Sequence, residues 1–60
     1  MGSYFEKYMD RRNQYRWRLR DGNHKIIADS AEAYVSKWNL DRAIENVRRS
    51  VPSAKTVDNT

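Results

Sequence analysis

Tyr15, Trp17 and Leu19 alternate with Arg16, Arg18 and Arg20. A period of two over six residues predicts a strand with one apolar face and one wet face. The segment before it, residues 3–9, alternates less cleanly. Phe5, Lys7 and Met9 fall on one side, and Tyr4, Glu6 and Tyr8 on the other. Its aromatic content favours a half-buried pleated surface, so it too reads as a strand. Asp10-Arg11-Arg12-Asn13 lies between them, with Asp suited to open a turn and Asn tolerant of the left-handed conformation. A three-residue loop, residues 11–13, then sets Asp10 opposite Gln14. It follows that Met9 faces Tyr15, Lys7 faces Trp17 and Phe5 faces Leu19, while Tyr8 meets Arg16 and Glu6 meets Arg18. A slip of one residue would mix the two faces, so the pattern selects this register. Lys7 is the misfit on the apolar side; the expectation is that it lies over Trp17 or snorkels to the edge.

Asp21-Gly22-Asn23-His24 is a second turn by composition. Residues 25–30, with adjacent Ile26 and Ile27, read as a third strand, and residues 31–35 as a connection anchored by Tyr34. Ser36 is a candidate N-cap. From there Leu40, Ala43, Ile44, Val47 and Val51 recur at helical spacing and predict a core-facing stripe. Glu45 and Arg49 form an i,i+4 pair in the favourable orientation. Arg48 and Arg49 suit the negative end of the helix, and Pro52 ends it near Val51. Residues 54–58, with Thr56 and Val57, complete a β-β-β-α-β order as a last strand or tail. The fold class is α+β, an antiparallel sheet with one covering helix, in a single domain over residues 1–60 whose structured part is about 4–58.

Composition narrows this further. Sixty residues make one small domain, and Leu, Ile, Val and Phe together number only ten. Seven aromatics offset that shortage of aliphatic surface. Below roughly 70–80 residues one core rarely supplies more than a few kcal/mol, and disulfides, metals or self-association usually assist. Cysteine is absent, and no ligand cluster with metal spacing is visible, so beside ideal helix packing self-association is the hypothesis that the chain length raises. No apolar run approaches the roughly 20 residues of a membrane span, and no leader opens the chain, which makes the cytoplasm the expected compartment.

Candidate chemistry is sparse. His24 is the single histidine and sits in a turn, where a solvated side chain is the ordinary outcome. Ser30, Ser36, Ser50 and Ser53 have no base beside them in sequence, and Asp29 with Glu32 reads as surface charge balancing arginine. Two glycines cannot build a phosphate-cradling loop. The sequence therefore argues against an enzyme and implies no cofactor. The arginine row is the sharpest feature. Twelve basic against eight acidic residues give a net charge of +4. Arg16, Arg18 and Arg20 are about 6.8 Å apart along a strand, comparable to phosphate spacing on a single nucleic-acid strand. Arg11, Arg12 and Lys25 would add to the field, and Tyr4 and Tyr8 on the same face would stack on bases. Against this, arginines alternating with apolar residues are also how an exposed sheet face stays soluble, and Glu6 neutralises part of the row.

The runs YFEKY, YRWRL, KIIADS and SKWNLDRAIENVRRS resemble the YegP-like family of small bacterial and archaeal proteins carrying a domain of unknown function. The resemblance spans about residues 4–58. It implies a unit of three strands, a helix and a fourth strand. It also implies that two units share one sheet by exchanging their C-terminal strands, either in tandem or as a homodimer. A single-unit chain is then a homodimer, with Ala54, Lys55, Thr56, Val57 and Asp58 at the interface as the donated strand. The chain departs from the family at Asn23-His24, where Asn-Gly is usual, and at Ala33, where glycine is usual. Lys7 replaces an aliphatic residue, and Trp38 and Leu40 stand where small residues are common. Trp38 is then expected to pack in the dimer or to meet a partner. The functional expectation is a small homodimeric, non-enzymatic interaction or binding protein, with nucleic-acid binding through Arg11, Arg12, Arg16, Arg18 and Arg20 as the alternative.

Overall fold

The computed structural model describes residues 2–60. Three strands, β1 (Tyr4–Met9), β2 (Tyr15–Arg20) and β3 (Ile26–Asp29), form an antiparallel sheet in the order β1-β2-β3, followed by helix α1 (Lys37–Ser50). The β1–β2 register is the one selected by the alternation: Met9 opposite Tyr15, Lys7 opposite Trp17, Phe5 opposite Leu19, Tyr8 opposite Arg16 and Glu6 opposite Arg18.

Both hairpin loops use the same device. Asn13 N donates to Asp10 O and His24 N to Asp21 O, and Asn13 and His24 take the left-handed conformation at φ 60° and 68°. Each opening aspartate caps its loop from the side chain. Asp10 Oδ1 accepts from Arg12 N and Gln14 N, and Asp21 Oδ1 accepts from Asn23 N and Lys25 N. This self-bonding is what makes Asp a turn opener. In the second loop the strained position falls on His24, not Gly22, so a bulky L-residue holds a conformation that costs about 1–2 kcal/mol outside glycine. A register irregularity at Leu19/Arg20 follows where β2 meets β3.

Ser36 caps α1 as expected, its hydroxyl accepting from Asn39 N at 3.1 Å. The helix ends at Ser50, and Val51–Ser53, containing Pro52, tighten into a 3-10 turn. α1 packs on β2 and buries Leu40 and Ile44 against Trp17, with Phe5, Tyr15, Leu19, Tyr34, Ala43 and Val47 packed around them. Phe5 meets Trp17 edge-to-face at 5.5 Å. The helical stripe stops short of its expected end. Val51 still donates its N–H to Val47 O in helical geometry, yet it is exposed, lying with Pro52 on the rim of an open cleft shared with Phe5, Leu19 and Val47.

The C-terminal segment is a second correction. Ala54 to Asp58 form no strand in this chain; residues 54–60 are exposed and outside any helix or sheet. They follow the 3-10 turn that ends α1 and pair with no strand of this chain. The chain's own order is therefore β-β-β-α.

Candidate interaction site

The arginine face is built and closed by β1 and the first loop. Arg16 Nε lies 2.8 Å from Asp10 Oδ2, Arg18 Nε 2.8 Å from Glu6 Oε1, and Arg20 Nε 2.9 Å from the same oxygen. Arg18 Nε is not aligned to donate a hydrogen bond there. Its guanidinium instead lies over the Tyr8 ring, 3.9 Å from the centroid. Arg20 also donates to His24 O at 2.6 Å, and Arg16 to Ser30 O at 3.3 Å. Tyr4 hydroxyl and His24 Nδ1 are hydrogen-bonded at 2.8 Å. The hydrogen bond from Arg20 holds the Glu6 carboxyl below its ordinary pKa, and the one from Arg16 does the same for Asp10, assisted by Gln14 N. Asp10 in turn raises the Arg16 pKa.

The sequence brought Arg16, Arg18 and Arg20 to one face, and the structure keeps them there. Their charges, however, are spent inside the sheet, and Tyr8, expected as a stacking platform, already lies under Arg18. Arg11 and Arg12 project from the first loop, exposed and outside that network. Ser30 and Ser36 hold backbone N–H groups of Trp17 and Asn39, so their hydroxyls serve the fold. No group of three or more metal-binding side chains occurs among the described residues, and no helix is long and apolar enough to cross a membrane.

A cleft runs along each flank of α1. On the β1 side, Ser3, Phe5, Lys7, Asp41, Ile44 and Arg48 line a space of about 550 Å³, crossed by the ion pair between Lys7 and Asp41. That pair resolves the Lys7 misfit: the ammonium reaches the helix instead of lying over Trp17. A charge aimed inward on an edge strand also discourages the addition of another strand there. On the β3 side, Glu32, Tyr34, Trp38, Arg42, Ala43 and Val47 line a space of about 520 Å³. Trp38 is 65% exposed, with the Arg42 guanidinium 4.8 Å from its ring centroid. β3 is exposed along its whole length, Ile26 and Ile27 included. Of this flank only Tyr34 and Trp38 stand out in the sequence, because helical periodicity marks the stripe facing β2 and not the gaps beside it.

Residues 10–58 match the family described as Domain of unknown function (DUF1508). A UPF0339 protein of Neisseria meningitidis serogroup B is 50% identical over 42 residues, 70% of this chain and 73% of that protein. A UPF0339 protein of Treponema denticola is 43% identical over 58 residues, 97% of this chain and 98% of that protein. The NMR solution structure of a protein from Haloferax volcanii superposes with a TM-score of 0.88 at 40% identity, covering 95% of each chain. The three-stranded sheet under one helix, the register and these matches agree: the chain belongs to the DUF1508 family, the YegP-like proteins.

Proposed function

We propose that the chain is a cytoplasmic, non-enzymatic binding module that works as a homodimer, each copy lending residues 54–58 to its partner's sheet. One observation carries this reading. Residues 54–60 are exposed and outside any helix or sheet, and Val57 among them is 73% exposed, while β3 offers a sheet edge with no strand against it among the described residues. Open edges and unburied β-branched residues are liabilities that a second copy removes together. Self-association also enlarges a core in which only Trp17, Leu40 and Ile44 are buried hydrophobics among the described residues. The non-enzymatic part is supported by the serine and histidine contacts above, which tie those groups into the fold. Nucleic-acid binding through Arg16, Arg18 and Arg20 is not adopted, because Asp10 and Glu6 already hold those guanidiniums.

Light scattering at micromolar concentration tests the dimer. The expected mass is twice the 7.2 kDa of one chain. A chain ending at Ser53 should fall to a single mass and unfold at lower denaturant. A full-length chain that runs as a monomer, or a truncated one that unfolds unchanged, refutes the exchange.

A further inference from the structure

Trp38 takes no part in the core cluster and leaves most of its surface in solvent. Tryptophan is enriched at interfaces, where one large flat side chain supplies much of the contact. The Arg42 guanidinium, one turn further along α1, lies 4.8 Å from its ring centroid. Asn39 and Asn46 bring side-chain amides to the same cleft, and Tyr34 adds a second ring. Aromatic and guanidinium planes beside amides are the groups that hold an unstacked nucleobase: the planes take its faces and the amides its edge. The space of about 520 Å³ lies within the roughly 300–1,000 Å³ of small-ligand pockets, a size that suits one nucleotide.

The charge around the cleft points to a strand and not to a free nucleotide. The first hairpin loop and the start of α1 share one end of the fold. Met9 pairs with Tyr15 at the mouth of that loop, Tyr15 bridges Tyr34, and Lys37 lies beside Met9 and Tyr15. Arg11, Arg12, Lys37 and Arg42 are exposed there and belong to no ion pair among the described residues. Asp10 and Asp41 at this end are taken by Arg16 and Lys7, and Asp29 stands opposite Arg18 on the far face of the sheet. Glu32 is then the one free carboxylate facing four free cations, an excess of three where the whole chain carries +4. We propose that this end of the molecule binds single-stranded nucleic acid, with one base stacked at Trp38 and Arg42 and the neighbouring phosphates drawn to Arg11, Arg12 and Lys37. The assignment rests on the binding-module reading above and names its ligand; it does not require the dimer.

A duplex keeps its bases stacked on one another and offers Trp38 no face. A lipid surface would strip water from Glu32 and the two asparagines without pairing them, which is costly. The arginines of β2 lie outside this site, on the sheet face away from α1, where Glu6 and Asp10 hold them.

Wild type, Trp38→Ala and a chain carrying both Arg11→Ala and Arg12→Ala are titrated with a fluorescent mixed-sequence RNA strand, alone and annealed to its complement, over a range of salt. Light scattering gives the mass of each protein. Trp38 is exposed and outside the core, so its removal should leave the fold intact. The single strand should bind more tightly than the duplex. Loss of one base stack should raise Kd about 5- to 140-fold in Trp38→Ala. Loss of two phosphate contacts should reduce the slope of log K against log salt by about 1.4 in the double arginine variant. Equal affinity for strand and duplex, or wild-type binding by Trp38→Ala, overturns the base site. An unchanged salt slope overturns the phosphate contacts. No binding even at low salt overturns the whole proposal, while the mass of the wild type decides the homodimer separately. A Trp38→Ala protein that loses both binding and the wild-type mass gives Trp38 to the assembly and overturns its role as a base platform.

Discussion

Ser30→Ala tests how the sheet is closed around its buried tryptophan. Ser30 is buried, and it bonds Trp17 twice. Its backbone N donates to Trp17 O at 2.9 Å, and its hydroxyl accepts from Trp17 N at 3.2 Å. A side chain therefore stands where a strand carbonyl would stand in a regular ladder. Removing the hydroxyl leaves the Trp17 N–H without a partner beneath α1. An orphaned buried donor costs about 1–3 kcal/mol. Trp17 is 7% exposed, leaving little access for replacement water, so the middle of that range, about 2 kcal/mol, is expected. For a domain of this size that lowers Tm by about 8–16 °C. The assay is thermal and urea unfolding at one fixed protein concentration, since self-association makes the midpoint concentration-dependent. Amide exchange at Trp17 should accelerate locally, and Ser30→Thr, which keeps a hydroxyl, should restore most of the loss. A Ser30→Ala protein within about 0.5 kcal/mol of wild type, the scatter of ordinary surface substitutions, with unchanged Trp17 exchange, would refute the reasoning.

Leu40→Ala removes a fully buried side chain of the core cluster and should cost about 3 kcal/mol by urea unfolding, a large part of the roughly 3–9 kcal/mol available to sixty residues; a loss below about 1 kcal/mol would mean that the site is not close-packed. Glu6 and Asp10 have folded pKa values below their ordinary ones, chiefly through hydrogen bonds from Arg20 and Arg16. Their contribution is therefore complete above the unfolded carboxylate range of about pH 4 and is lost as pH falls through the lower folded values. Tm should decline in acid, and less steeply in Glu6→Gln; equal slopes in the two proteins would remove Glu6 from the account. Titration with single-stranded oligonucleotide should show no steeply salt-dependent binding that Arg16→Ala, Arg18→Ala and Arg20→Ala together abolish; such binding would return the arginine face to function.

Where a feature depends on neighbours along the chain, or on a single hairpin, the sequence alone determined it. Alternation set the β1–β2 register, because a one-residue slip inverts every side chain. Asn13 marked its left-handed position, Ser36 its cap and Leu40 to Val47 the packed stripe. The third strand was placed within a residue at each end, although nothing local told that its isoleucines stay exposed. What the tertiary structure decided depends on pairs remote in sequence. Arginines of β2 close onto Glu6 and Asp10, so the row that alternation exposes as one wet face is tied into an internal network. Lys7 reaches Asp41 on a helix that local pattern cannot position, and Ser30 stands in for a carbonyl opposite Trp17. Val51 keeps the helical period yet stays exposed, because the cleft it shares with Phe5 and Leu19 is open and nothing in this chain covers it. Residues 54–58 carry strand-forming side chains, but a strand exists only where an edge receives it. Local propensity supplies the segment, and only the arrangement of edges in space supplies its partner.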